Sequence, residues 1–508
     1  MVPPTLDETF SFHSPPSRVE TNSSPVGITR WGSPAPYGLP SLYTSSPMDV
    51  LGSLVSQQLS EGFSFQQPSP MKRTPIQNSR LADIPQGMLV EYIEFFRVKI
   101  LYCVPVIDDA DLRDPTYVIQ QKRPLAYCAA FIASQFIPGS TAFAVLYAYR
   151  PAADVYQLPA APTSPPFLNR WVLKNSIEAF AIRAGLHRSI DDLRALLRSS
   201  SQRTSESLVF HKYIYWLWLV AMSHHFSLMT RTSPSIREDS SISSAVDLLR
   251  DVPRPPRVTR ILAEIDLYTL WQRAGRRDPG LAEWWCTPSN TQSPEELLGV
   301  LEDMDGALEV WGQRWGLRGE PNTTISNVDI SANGAVEFHF RRMHFCVATF
   351  GTQHILERTQ SVLDKDSATG AELEDAARES ILKSVKAAHD CARCLVDIPP
   401  LRRETVRYMS EFGYGLIAFC CIYMIQAHKL FGAALPDLER FLTSVEEVAT
   451  FMSEMAVANN AAPRLYGQTI MRLLRQENDD VDDARDDTHF GAARDFETGE
   501  ATKISYPA

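Results

Sequence analysis

Apolar positions crowd one stretch of the chain, Phe210 to Ile236 (FHKYIYWLWLVAMSHHFSLMTRTSPSI), where Tyr213 to Met222 are ten consecutive apolar residues including Trp216 and Trp218. A helix that spans a bilayer needs about 20 apolar residues. Ser223, His224, His225 and Ser227 interrupt the run before that length is reached. The pattern therefore predicts a buried central helix, apolar on nearly every face, with the rest of the chain packed around it. Thr232-Ser233-Pro234 is the turn signal that ends it.

Helical spacing recurs on both sides of this segment. Met88, Leu89, Tyr92, Ile93, Phe95, Phe96 and Ile100 keep it until Pro105. Arg123 to Ile137 predicts a buried helix whose Ala and Ser residues permit close contact, followed by a Pro138-Gly139 turn and an apolar stretch through Tyr149. Leu158 to Pro166 reads as a proline-rich loop, Leu168 to Leu186 as a helix stopped by Gly185, and Arg188 to Arg198 as a shorter amphipathic piece. Ser199 to Ser207 and Arg237 to Pro256 read as exposed connections. Helical periodicity returns over Val258 to Ala274, Pro294 to Trp315, Ala335 to Thr359, Glu372 to Ile398, Arg402 to Phe431, Leu438 to Asn459 and Arg464 to Arg475. No period-2 run, strand-helix alternation, long repeat or sustained heptad competes with it. The expected fold class is all-α.

The two ends have no apolar face able to offset the entropy of ordering them. The expected organisation is a disordered Ser/Pro-rich region over 1–80, an all-α domain over 81–475 and a disordered acidic tail over 476–508. Ser14-Pro15, Ser24-Pro25, Ser33-Pro34, Ser46-Pro47, Ser69-Pro70 and Thr74-Pro75 fit proline-directed kinases but are also what any Ser/Pro-rich linker contains. Phe490 and Phe496 among acids resemble an activation segment, beside the plainer reading of a solubilising tail. A net charge of -11 leaves direct DNA binding unsupported. Eight cysteines without a framework point to a reducing compartment, and MVPPTLDETF has no apolar core of a signal peptide. The expected location is inside the cell, in cytoplasm or nucleus.

Candidate chemistry is sparse. Cys391-x-x-Cys394 has zinc-ligand spacing, but it lies in a helical pattern where i and i+3 share a face, and His389 does not complete a four-ligand set. The pair reads as core packing, as do Cys420 and Cys421. His224-His225 could ligate a metal or shuttle protons. Adjacent helical positions diverge by about 100°, so one ring is expected inside and the other exposed. His339, Arg341, Arg342 and His344 read as a solvated basic face. No G-x-S-x-G, H-E-x-x-H, P-loop or dinucleotide fingerprint stands in a suitable context. No catalytic, cofactor or metal residue is therefore assigned, and the chain is expected not to be an enzyme.

From Leu81 to Phe431 the order of helices resembles the regulatory middle-homology domain of fungal zinc-cluster transcription factors. Leu89 to Leu112 (LVEYIEFFRVKILYCVPVIDDADL) resembles that domain's opening, and Arg123 to Ser134 its next helix. Tyr215 to Ile236 is similar to the family's aromatic helix. Ser223-His224 stand where an Asp-Arg pair is usual and Thr230-Arg231-Thr232 where Gly-Arg-Pro is usual, while Arg231 and Pro234-Ser235-Ile236 keep the character. Leu297 to Trp315, Val336 to Leu356 and Ala387 to Phe431 continue the series. The six-cysteine zinc cluster that normally precedes the domain has no counterpart, since no cysteine stands before Cys103.

The resemblance implies a nuclear regulator of transcription in a fungus, concerned with a metabolic or secondary-metabolite pathway and working through helix rearrangement. DNA contact would come from a partner or from a zinc cluster missing from this sequence. The expected partners are a second copy, another transcription factor, the transcription machinery and a small-molecule inducer, with no membrane and no cofactor. The alternative is a helical small-molecule-binding protein or metabolic enzyme built on the same apolar core.

Overall fold

The computed structural model describes residues 47–62, 85–137, 170–199, 205, 207–278, 281, 294–316, 327–363, 369–400, 403–432, 434–457 and 461–476. Among these residues every regular element is helical, as the periodicity predicts. The longer helices are α1 (Pro47–Gly62), α2 (Gln86–Phe95), α3 (Arg123–Ser134), α4 (Arg170–Arg183), α5 (Ser189–Arg198) and α6 (Leu208–Thr230). They continue with α7 (Pro256–Arg277), α8 (Pro294–Arg314), α9 (Asn327–Leu363), α10 (Thr369–Val396), α11 (Glu411–Phe431) and α12 (Glu439–Met455). A last helix, α13, covers 462–476.

α6 is the central apolar helix of the sequence reading. Ser207 caps its start, its side chain accepting from Phe210 N. Arg231 closes its end in the left-handed region at φ 49°, a conformation that usually falls to glycine. Arg402 to Phe431, expected as one helix, is broken: Arg403–Val406 forms a single turn and Ser410 caps a new start for α11. Gly185 does stop α4, at φ 74°.

Packing differs from a single helix with everything else around it. α6, α7, α8 and part of α9 bury one apolar cluster, with Phe210, Leu217, Leu262, Trp311 and Phe350 inside. α10, α11 and α12 bury a second, with Ile417, Cys420, Cys421 and Phe441. α2 and α3 form a third, joined by Tyr408. α11 is long and apolar enough to cross a bilayer, yet 72% of its most apolar window is buried inside the protein.

Two expectations are corrected here. The region 1–80 was expected to lack an apolar face, but α1 lies within it. Val50, Leu51, Leu54 and Val55 recur at helical spacing after Pro47, and Leu51 is 1% exposed in the second cluster. Arg472 of α13 also donates to Leu54 O at 3.3 Å. The connection 237–256, expected to be exposed, folds into two short turns that bury Ile242, Ala245 and Leu249. Asp239 caps the first turn, and Trp216 Nε1 of α6 donates to Ser241 Oγ at 3.3 Å. The remainder of 1–80, the Pro138-Gly139 turn and following stretch, the 158–166 loop and the 477–508 tail lie outside the described residues.

Burial of this kind fixes the size of two mutational effects. Leu51→Ala should cost about 2–5 kcal/mol and Trp216→Ala about 3–5 kcal/mol through lost burial and the cavity left behind. Trp218, only half-buried, should cost less when truncated. Chemical denaturation of the three variants measures this. An unchanged midpoint for Leu51→Ala would remove α1 from the folded unit.

Candidate functional site

α7 carries three polar side chains at i, i+4 and i+8 along one side, namely Arg260, Glu264 and Tyr268. They point to the junction with α6 and α9. Glu264 is buried, and its Oε1 accepts from Arg260 Nε at 2.9 Å and lies 2.9 Å from His339 Nε2 of α9. Its Oε2 is 3.4 Å from His225 Nε2 of α6, without the alignment of a hydrogen bond. The rings of His225 and His339 stack with centroids 4.7 Å apart, and His224 stacks on Tyr268 at 4.3 Å. α7 thus bonds α9 through this carboxylate, with His225 of α6 close beside it.

Burial and charge set the protonation states. Desolvation alone would push the Glu264 carboxyl up, but the hydrogen bond from His339 and the positive charge of Arg260 outweigh it and hold the group well below the usual carboxylate range. Burial, reinforced by the positive charge of Arg342, drives His225 well below its ordinary value and His224 to about 3. Burial also takes His339 to about 4, against the pull of Glu264. Glu264 is ionised and the three imidazoles are neutral at neutral pH. His339 Nε2 carries the proton shared with Glu264, which leaves His339 Nδ1 as a buried lone pair without a partner.

Arg342, one turn beyond His339 on α9, is 5% exposed. Its Nη2 donates to Tyr268 OH at 2.8 Å, and its guanidinium lies 5.9 Å from the Tyr268 ring centroid. It has no ion-pair partner among the described residues, and its Nε has no hydrogen-bond partner. Glu264 balances only one of the two guanidinium groups near it. With Arg260 and Arg342 positive, Glu264 negative and the histidines neutral, the cluster carries one uncompensated positive charge. Even after relaxation a buried ion costs several kcal/mol to desolvate.

The cluster opens onto a cavity of about 1400 Å³. His225, His339 and Arg342 line one side of it, with Trp218, Phe338 and Phe345 as apolar neighbours, while charged groups such as Arg341, Asp390, Asp397 and Glu411 line other parts. Cys346 also faces it, its thiol pushed up to about 12 by burial. A concave space with apolar surface and polar groups converging on it is where small molecules bind most often.

A metal is the other occupant this chemistry could take. Ligand atoms of His225, Glu264 and His339 lie within 4.8 Å of one another, a two-histidine, one-carboxylate set. Arg260 already bonds the carboxylate, and Arg342 is near enough to act on it electrostatically. A divalent ion would raise the local charge from one positive to three, where each unit pair at 4 Å is worth about 4 kcal/mol at an effective dielectric of about 20. The charge balance fits an anion better.

Two readings of the sequence are corrected by this geometry. His224 and His225 are both buried rather than split between core and solvent, because helices pack against both faces of α6. His339 and Arg342 belong to the interior rather than to a solvated basic face, while Arg341 and His344 remain half-buried. The sequence reading missed Arg260, Glu264 and Tyr268 altogether; the available signal was a charged pair, Glu264 and Asp266, inside the apolar run RILAEIDLYTLW. Asp266 is satisfied separately by Arg314 Nη1 at 3.1 Å and Trp315 Nε1 at 3.0 Å. Cys391, Cys420 and Cys421 are buried in the second apolar cluster, and Cys394 Sγ donates to Asp390 O.

Over 312 residues the chain is 20% identical to the transcriptional activator of proteases prtT of Emericella nidulans, a similarity that covers 60% of this chain and 43% of that protein. The chain thus spans less than half the length of that relative. No protein-family model matches it, and no solved structure does.

The histidine cluster sets a pH dependence. His339 and His224 have folded values below their ordinary 6.5, so below pH 6.5 the unfolded chain takes up protons that the folded chain refuses. Their effect on stability is absent above pH 6.5 and grows as pH falls toward 4. Glu264, held below its ordinary 4.5, adds loss in the same direction as pH drops through and under that value. The melting temperature should fall steadily from pH 7 to pH 4.5, and His339→Gln should flatten the slope. A wild-type melt independent of pH over this range would contradict the assigned protonation states.

Proposed function

We propose that the chain is the regulatory part of a transcription regulator in a fungus, acting in the nucleus. The observation that carries this reading is its similarity over 312 residues to a fungal transcriptional activator. The all-helical architecture supports it, since the resemblance noted in the sequence implies an all-α regulatory domain over 81–475. The finer reading is the middle-homology domain of zinc-cluster factors, with DNA contact supplied by a partner factor or by a zinc cluster outside this sequence. The net charge of -11 supports a chain that does not grip DNA by itself. A small-molecule effector would act from the cavity at the α6–α7–α9 junction, where occupancy bears on three helices at once. Homodimers or heterodimers and contacts with the transcription machinery belong to the same proposal, and catalysis does not.

A second reading, a helical small-molecule carrier or enzyme, draws support from the same cavity of about 1400 Å³. The two separate experimentally. The full chain, fused to a DNA-binding domain of known specificity and expressed in a fungal host, should change the output of a reporter carrying the matching site by at least severalfold. An unchanged reporter, with the fusion shown to be nuclear and intact, would sink the regulator reading. Turnover of a metabolite by the purified chain would favour the second.

A further inference from the structure

We infer that the cavity takes a small organic acid, with an apolar body, a carboxylate paired to Arg342 and a hydroxyl beside that carboxylate. The inference rests on the reading of this cavity as the effector site of the regulator.

Three observations carry it. Arg342 is a cation buried to 5% exposure that lines the cavity, with no ion-pair partner among the described residues and with Nε unpartnered. A guanidinium cannot shed its charge by deprotonation, so an anion is the ligand that would balance it, and a carboxylate matches its fork of donors. His339 lines the same wall one turn away, and its unpartnered Nδ1 is an acceptor. Side chains at i and i+3 of a helix stand about 5–6 Å apart at their Cβ atoms, so one ligand can reach both. A bare carboxylate would face the Nδ1 lone pair unfavourably, whereas a neighbouring hydroxyl donates to it. An ammonium in that place would add charge to a cluster that already carries one positive charge in excess. Trp218, Phe338 and Phe345 provide the apolar surface for the rest of the molecule.

Calorimetric titration of the full chain with 3-phenyllactate, 3-phenylpropionate and 3-phenylpropan-1-ol tests this without any mutation. The expected order is phenyllactate tightest, then phenylpropionate, with the alcohol at least tenfold weaker than phenyllactate. Arg342→Gln should bind all three at the level of the alcohol, and Arg342→Lys should keep part of the preference for the acids; thermal melts certify that each variant is folded. The inference is overturned by an alcohol that binds as well as the acids, by no saturable heat from any probe, or by a preference that survives Arg342→Gln. Phenylpropionate equal to phenyllactate would remove the hydroxyl from the ligand. Stoichiometric zinc uptake that is lost in His225→Gln would replace the anion with a metal. A chain that drives the tethered reporter but binds no acid fails this inference alone. One that binds the acid but leaves the reporter unmoved fails the regulator reading alone.

Discussion

Glu264 is the point on which the arrangement of three helices depends. Apolar burial draws α6, α7 and α9 together but is non-directional, and nearly every face of α6 would serve it equally. A carboxylate buried beside Arg260, His225 and His339 has no such freedom, because a small slide of α9 against α7 leaves His339 and Glu264 without their shared hydrogen bond. Removing one partner of a buried pair typically costs about 3–5 kcal/mol, comparable to losing a large core side chain. The net worth of the pair against an apolar replacement is small by comparison. Its role is to select one register among the several that hydrophobic contact would accept.

The register matters because α9 belongs to two cores. Phe345 packs with Tyr423 and Phe419 in the cluster of α10 and α11, at centroid distances of 5.4 Å and 6.1 Å. Phe340 stacks on Trp311 of α8 at 5.6 Å in the other cluster. At Gly351 a Cβ would come within 2.8 Å of Leu301, so α9 also approaches α8 closely at that turn. His339 and Arg342 stand on the same stretch of α9 and line the cavity. Any change of charge at the cavity wall therefore acts on the helix that joins the two cores, with no separate relay required.

How much of this was legible in the sequence follows from which signals are periodic. Helix existence was readable wherever apolar residues recur, and the stop at Gly185 was readable because a left-handed position has a residue preference. α1 escaped because its apolar stripe, Val50-Leu51 and Leu54-Val55, is short and embedded in Ser/Pro-rich sequence. The break before α11 escaped because Val406 to Met409 keep an apolar character while Ser410 supplies only a local cap. The site was hardest. Glu264 meets His339 across 75 positions of sequence and His225 across 39, and no spacing rule links residues brought together only by packing. The histidine pair was readable as chemistry, but its burial was not, since the helical wheel of α6 gives both faces to the interior only once its neighbours are known.

The protonation states of the cavity wall bear on what kind of work it can do. A general base operates best with a value near the ambient pH, and His339 at about 4 is a weak acceptor at neutrality, with His225 also held well below its ordinary value by burial. The thiols at the wall, Cys103, Cys346 and Cys394, are all pushed up by burial, Cys346 to about 12, and are held as unreactive thiols rather than thiolate nucleophiles. Arg342 is charged at any physiological pH and does no proton transfer. His225, His339, Arg342 and Cys346 are ill suited to moving protons at neutral pH. They discriminate instead: a fixed positive charge selects by sign, and an unshared lone pair selects for a donor. These groups stand on α9, the helix shared by the two cores, so what binds beside them acts on the contact between those cores.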